Sequence, residues 1–300
     1  MINQDTQLKL VKIYLFVCDK FESELKYQCQ RFTNNHSPEF SDQEIITIYL
    51  FCICSEHKYS ISQMHRFTLN YYSDWFPKLP SYVAFNTRLN RLVDVFSHLL
   101  NSLINELAPA SISSEISLLD SMPIITSSGK RPGKVATDLT DKSYNSTKNL
   151  YYHGIKLHAL CYQNNGHMPH PESFIITKAS ESDLNVFKQF WSYIRNRKFY
   201  GDKIYINKEY FLNHKLMNNI EMLTPLKAIK NQPENLKQFD AAFNKIFSKA
   251  VSAIRQPIES LFNWLITKTD IQRASKVRSS NGLKIHVFGK LAAAFINLIF

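Results

Sequence analysis

Over the first hundred residues the apolar positions recur at intervals of three and four, and near residue 113 the interval falls to two. The early part therefore reads as helices. Residues 8–29 carry apolar groups at helical spacing. Ser41-Asp42-Gln43-Glu44 has the form of a capping box, with Ser41 as N-cap and Glu44 at the third helical position, and an apolar run to Cys54 follows. A further helix is predicted over 60–75, and Pro77 and Pro80 break the chain after it. The stretch SYVAFNTRLNRL, 81–92, opens another. Its Asn86, Arg88, Asn90 and Arg91 suit a helix-turn-helix recognition helix, which reaches phosphates and base edges. An ordinary amphipathic helix with a polar outer face fits the pattern equally. The candidate linker is Ala108-Pro109-Ala110-Ser111.

Beyond it, residues 116–125 form a short apolar run of strand type, interrupted by Asp120. Residues 127–148 are rich in Gly, Lys, Thr, Asp and Ser and read as a long polar loop. Residues 154–163 alternate, with Ile155, Leu157, Ala159 and Cys161 on one face and Lys156, His158 and Tyr162 on the other, the pattern of a half-buried strand. Asn164-Asn165-Gly166 is a turn, and a strand returns over 173–177. A helix is predicted over 182–197 with Ser182 as cap, a strand holding Asp202 over 199–206, a helix over 208–217, a short strand over 220–225 and helix over 240–267. A strand meander followed by alternating helices and strands predicts a mixed sheet with helices on its faces, the order of a ribonuclease H-like fold.

Charge sharpens the division. Residues 1–110 carry 10 Lys and Arg against 11 Asp and Glu, whereas 111–300 carry 26 against 14. A one-sided positive balance suits a polyanion, and nucleic acid is the commonest; a solvated face kept for solubility is the alternative. Glycine is scarce, and neither a GxGxxG nor a GxxxxGK[ST] loop occurs. The cysteines, Cys18, Cys29, Cys52, Cys54 and Cys161, are scattered without zinc-ribbon spacing and read as buried thiols of a reducing cytoplasm. The first segment, with Lys9 and Lys12, lacks signal-peptide features. The apolar tail 291–300, too short to span a bilayer, is expected to pack on the core. His167 and His170 read as loop histidines rather than a metal pair.

Asp120 is the residue that the pattern does not explain. A charge inside an apolar strand costs free energy unless compensated, and a turn or cap at a strand end is the plain alternative. Asp202, in FYGDKIYIN, and Glu259, in IRQPIESLFNWL, are its candidate companions. In a ribonuclease H-like sheet the strands holding the two aspartates are neighbours, and a helix across them can bring Glu259 to the same point. Three clustered carboxylates call for cations, and Mg²⁺ suits hard oxygen ligands. Two ions about 3.5–4 Å apart drive in-line phosphodiester displacement. The plainer alternatives are a Gly-Asp turn for Asp202 and a surface pair with Arg255 for Glu259. Lys156 is a candidate phosphate contact, or equally a solvent-facing lysine.

These residues resemble the DDE transposases of bacterial insertion sequences, in the broad group with a Tyr/Arg/Glu/Lys signature, and among them the insertion-sequence 982 type. The likeness covers about 113–300 and is carried by LLDSMPI around Asp120, KSYNSTKNLYYHGIKLHAL from Lys142, ASESDL from Ala179, YGDKIYIN around Asp202 and IRQPIESLFNWL around Glu259. It implies a ribonuclease H-like, retroviral-integrase-like catalytic domain over 111–300, preceded by an all-α domain over 1–110 for end recognition or dimerisation. By resemblance Asp120, Asp202 and Glu259 are the catalytic and metal-binding triad, holding two Mg²⁺ ions with Mn²⁺ able to substitute. Arg255 matches the signature arginine; Ser252 and Ile266 stand where the signature has Tyr and Lys, with Lys268 nearby. The resemblance implies a cytoplasmic enzyme of the bacterial nucleoid that acts on terminal inverted repeats and target DNA as a homodimer or larger assembly. Arg88, Arg91, Lys156, Arg255, Lys268, Arg273, Lys276 and Arg278 are the expected DNA contacts. A nuclease that cuts without joining, and a DNA-binding protein with a decayed site, are the rival readings.

Overall fold

The computed structural model describes residues 3–29, 38–110, 112, 115–130, 133–145, 148–226 and 234–300, with the backbone alone over 234–240. The expected linker therefore ends, at Ser111, outside the described residues. Five helices come first: α1 (Gln4–Ser23), α2 (Asp42–Cys54), α3 (Ile61–Tyr71), α4 (Tyr82–Leu89) and α5 (Val93–Glu106). The capping box forms as the sequence predicts, since Ser41 Oγ accepts from the Glu44 N–H at 3.2 Å and the Glu44 carboxylate accepts from the Ser41 N–H at 2.6 Å. Serines 60 and 81 cap α3 and α4 by the simpler N-cap bond, each hydroxyl accepting from the N–H three residues on. Helix α2 is buried all round from Ile45 to Cys54 and forms the centre of this layer.

The rest is a mixed sheet with helices on both faces. Its strands are β1 (Ile116–Ser128), β2 (Asp141–Asn145), β3 (Leu150–Tyr162), β4 (His170–Lys178), β5 (Arg197–Tyr200) and β6 (Ile220–Leu223). The spatial order is β2-β3-β1-β5-β6, with β4 also on β3. Strands β2, β3 and β4 form an antiparallel meander against β1, while β5 runs parallel to β1 and β6 parallel to β5. One face buries Leu119, Leu160 and Phe199 under Val186 and Phe187 of α6 (Asp183–Phe190), with Phe211 of α7 (Lys208–Asn218). The other face buries Leu118, Met122, Ile155 and Leu157 with residues of α8 (Glu234–Arg255), α9 (Pro257–Thr269) and α10 (Ser280–Ile299). Helix α10 also lies against α2 and α5, so this core continues without a break into the first five helices.

Several boundaries move. Within the expected loop over 127–148, β1 continues to Ser128 and β2 forms on the edge of β3. A polar sequence hides such a strand, because an edge strand with solvent on one side needs few apolar residues. The strand expected over 199–206 ends at Tyr200, and a 3-10 turn, Lys203–Tyr205, follows. The helix over 182–197 stops at Phe190. His170 is no loop residue: it opens β4, buried, with Nε2 2.8 Å from the Ile104 carbonyl oxygen. His167 lies in the turn. The tail 291–300 belongs to α10, which is long and apolar enough to cross a membrane by length and composition; 67% of that apolar window is buried inside the protein.

Candidate active site

Asp120 lies on the face of β1 that α8 and α9 cover. Strand β5 runs beside it in parallel register, Leu118 opposite Tyr200, so two residues further on Asp120 is level with Asp202, just past the strand end. Gly201 makes this turn possible: a Cβ there would stand 2.6 Å from the Tyr205 ring. Asp202 is exposed and caps the 3-10 turn, Oδ1 accepting from the Lys203 N–H at 2.6 Å. From the other side, Pro257 occupies the first turn of α9 and separates it from α8. Arg255 is thus the last residue of α8 and Glu259 sits in the first turn of α9, yet the pair still meets.

Arg255 joins these groups. Its Nη1 donates to Asp120 Oδ2 at 2.6 Å, and its Nη2 donates to Glu259 Oε1. The side chains of Arg255 and Asp120 are 16% and 21% exposed, that of Glu259 55%. Burial works against the arginine's charge, but Asp120, Glu259 and Asp202 together hold its pKa above the ordinary value. The guanidinium therefore bridges two carboxylates, from β1 and from α9, and the charge of Asp202 at the end of β5 acts on it from further away. Asp120 is pushed up to about 6, chiefly by burial and further by the charges of Asp183 and Asp202, against the pull of Arg255 and the Ser121 N–H. Among the described residues no set of three His, Cys, Asp or Glu side chains stands close enough to hold a metal ion. The chemistry of the donors suits hard divalent cations, since Asp120 and Glu259 already place carboxylate oxygens on one positive charge and Asp202 lies level with Asp120. Arg255 Nε is buried without a hydrogen-bond partner, which leaves that charge incompletely satisfied by the protein alone.

Behind Asp120, on the opposite face of β1, lies a second polar group that sequence reasoning missed. Asp183 in the first turn of α6 is 7% exposed and accepts from Ser121 Oγ at 3.0 Å and from Lys156 Nζ at 3.1 Å. His158 Nδ1 stands 3.6 Å from the same carboxylate, and burial pushes His158 down to about 4, so the imidazole is neutral. The alternation in GIKLH put Lys156 and His158 on one face; nothing local showed that Asp183 would meet them. Lys156 also donates to the Glu181 carbonyl at 2.7 Å. Its amine is thus consumed inside the protein, which corrects its expected place as a phosphate contact.

The other expected DNA contacts divide. Arg88 turns inward, Nη2 donating to Asp42 Oδ1 at 2.6 Å and Nη1 to the Phe40 carbonyl, because α4 packs over the start of α2. Arg91 remains exposed. Lys268, Arg273, Lys276 and Arg278 are all exposed. The segment between α9 and α10 that carries the last three lies along the end of β1, with the Ile125 N–H donating to Gln272 O at 2.8 Å and the Ala274 N–H to Ile125 O at 2.9 Å. Lys290 is 1% exposed and buries its amine against the Asp270 carbonyl, 3.0 Å away, and over the Tyr59 ring. Ser252 is exposed on α8, and Ile266 packs against the core.

A search of curated proteins and of solved structures returned no match. The sequence model of one family, described as the transposase DDE domain, matches residues 113–296, which include β1 to β6, the three carboxylates and most of α10. More than half of the chain lies in that match, and it begins where the apolar interval changes from helix to strand. The chain belongs to the DDE-domain transposase family.

Proposed function

We propose that the chain is an insertion-sequence transposase of the 982 type, which binds the terminal inverted repeats of its element, cleaves the DNA and joins the 3′ ends to target DNA. The observation that carries this is the pairing of Asp120 and Glu259 on the Arg255 guanidinium, with Asp202 level with Asp120 at the end of the neighbouring strand. The strand order and directions, with three antiparallel strands and then two parallel ones, support a ribonuclease H-like catalytic domain over 111–300. The five preceding helices, which share a core with α10, would serve end recognition or dimerisation.

Asp120, Asp202 and Glu259 are the residues that would hold two Mg²⁺ ions, or Mn²⁺. Bound there, the metal supplies activation of the attacking water or 3′-hydroxyl and stabilisation of the leaving oxygen. Arg255 keeps the carboxylates gathered before the ions bind and can turn its charge to a DNA phosphate once they are present. Asp183 fixes β1 from behind through Ser121 and keeps negative charge beside Asp120. Lys268, Arg273, Lys276 and Arg278 give the backbone grip, with Arg91 an outlying contact. No tyrosine stands at 252, so a tyrosine there takes no part in handling the terminal base.

Purified protein given duplex DNA from the gene's own flanks tests the reading. In Mg²⁺, and not in EDTA, it should release ends bearing 3′-hydroxyls and then joined products. Hydrolysed ends without joined products would make it a nuclease instead.

A further inference from the structure

The β2–β3 hairpin carries a second feature, outside the carboxylate site. Tyr144 of β2 stands opposite Tyr151 of β3. Their rings lie 5.0 Å apart between centroids, yet the residues are 49% and 58% exposed. Tyr152, the next residue, points to the other face and is buried, so the strand has a core position for an aromatic and leaves Tyr151 outside it. Basic residues accompany the pair. Lys142 Nζ stands 5.1 Å from the Tyr151 ring centroid, and Lys130, Lys134 and Lys148 are exposed nearby in sequence. The acids of this stretch are engaged elsewhere: Asp141 accepts from the Ser180 N–H at 2.9 Å, and Asp138 from the Ser280 hydroxyl.

The hairpin is joined to the basic segment before α10, because Lys148 Nζ donates to the Gln272 side chain at 2.8 Å. A cavity of about 500 Å³ between the end of β1 and that segment is lined by Lys130 and Arg278. One positive surface therefore runs from the segment before α10 to the hairpin. A cross-strand tyrosine pair steadies a hairpin by a few tenths of a kcal/mol to about 1 kcal/mol, which explains the pairing but not the exposure of both rings. Aromatic faces interleaved with lysines suit a nucleic acid, whose bases stack on the rings while its phosphates meet the cations.

We propose that Tyr144 and Tyr151 are a stacking platform for an unpaired base of the bound DNA. This rests on the DNA-binding reading above and adds to it a place and a kind of contact. Tyr151 lies on the same sheet face as Asp120, eight residues along β3 from Ala159, the register partner of Asp120. At about 3.4 Å per residue that is about 27 Å, or about eight base steps of B-form DNA.

The test uses the full-length chain and three fluorescent probes from the flanking DNA: the intact duplex, the same duplex with a one-nucleotide gap moved along it, and oligothymidylate. The expected result is that the wild type prefers a gap about eight steps from the cleaved bond. The variant Tyr144→Ser with Tyr151→Ser should lose about tenfold on gapped and single-stranded probes and bind the intact duplex as the wild type does. The variant Tyr144→Phe with Tyr151→Phe, which keeps the rings, should bind all three as the wild type does; it also guards against a serine variant that folds poorly. Equal losses on paired and unpaired probes, no loss, or a change only in self-association by sedimentation would overturn the platform while leaving the DNA-binding reading intact. Failure of the wild type to bind any probe would overturn both.

Discussion

Arg255 Nη1 donates to Asp120 Oδ2 at 2.6 Å, and the same guanidinium holds Glu259, so one arginine bridges two carboxylates from different elements. The partly buried pair makes Arg255 a stabilising residue of the metal-free protein. Arg255→Ala should lower its stability by about 1.5–3 kcal/mol, the range for hydrogen bonds to charged groups. Mg²⁺ should then restore more stability to the variant than it adds to the wild type, because it supplies the missing positive charge. Urea unfolding with and without Mg²⁺ measures both effects. Equal gains in the two proteins would mean that Arg255 and the ion do not share a place.

Asp120 titrates near 6 in the folded protein, above the unfolded value of about 3.9. Between those values the folded state holds more protons, so stability falls as pH rises through that window. In metal-free buffer Asp120→Asn should remove this dependence. Unfolding midpoints across the window decide it, and an unchanged slope would place the titration elsewhere.

Lys156 and Lys276 should behave as opposites. Lys156 is held by Asp183 and the Glu181 carbonyl, so Lys156→Ala should cost about 3 kcal/mol of stability, the lower end of the range for breaking a buried pair. Its effect on the salt dependence of DNA binding should be small. Lys276 is exposed, so Lys276→Ala should leave stability unchanged and lower the slope of log K against log salt by about 0.9. The two slopes, measured side by side, separate an internal lysine from a phosphate contact.

Lys290 gives a separate pH signature. Burial pushes its pKa down to about 7 from 10.5, against the favourable charge of Asp270. The unfolded chain holds the extra proton between these values, so this residue makes stability rise with pH across that window. Lys290→Met should flatten the rise and raise stability at neutral pH, as read from thermal melts over the window. His286, buried one turn away and also pushed down, stays neutral throughout and leaves the sign unchanged.

The sequence made the helical first part and the meander readable because each rests on a local signal: a capping box at Ser41 and alternation through 154–163. It did not reveal β2, whose polar residues gain order only from their partner β3. Nor did it show where β5 ends, since the stop at Tyr200 is set by Gly201 closing under the Tyr205 ring. Arg88 and Lys156 looked like surface cations because their partners, Asp42 and Asp183, lie 46 and 27 residues away and meet them only through helix-on-helix and helix-on-sheet packing. Asp183 was hidden for the same reason. Asp202 and Glu259 meet their plain readings, since one caps a turn and the other pairs with Arg255, and Glu259 shares that guanidinium with Asp120.

The measurement that bears most directly on the central claim is excision and joining from a plasmid carrying the gene's natural flanks, with wild-type protein and with Asp120→Asn supplied in turn. The account predicts that the wild type yields excised and joined products in Mg²⁺. The variant should bind the ends equally well and yield products reduced by on the order of 10⁴-fold, the loss expected when one member of an interdependent catalytic set is removed. Equal yields from the two proteins would contradict it and make Asp120 a structural aspartate.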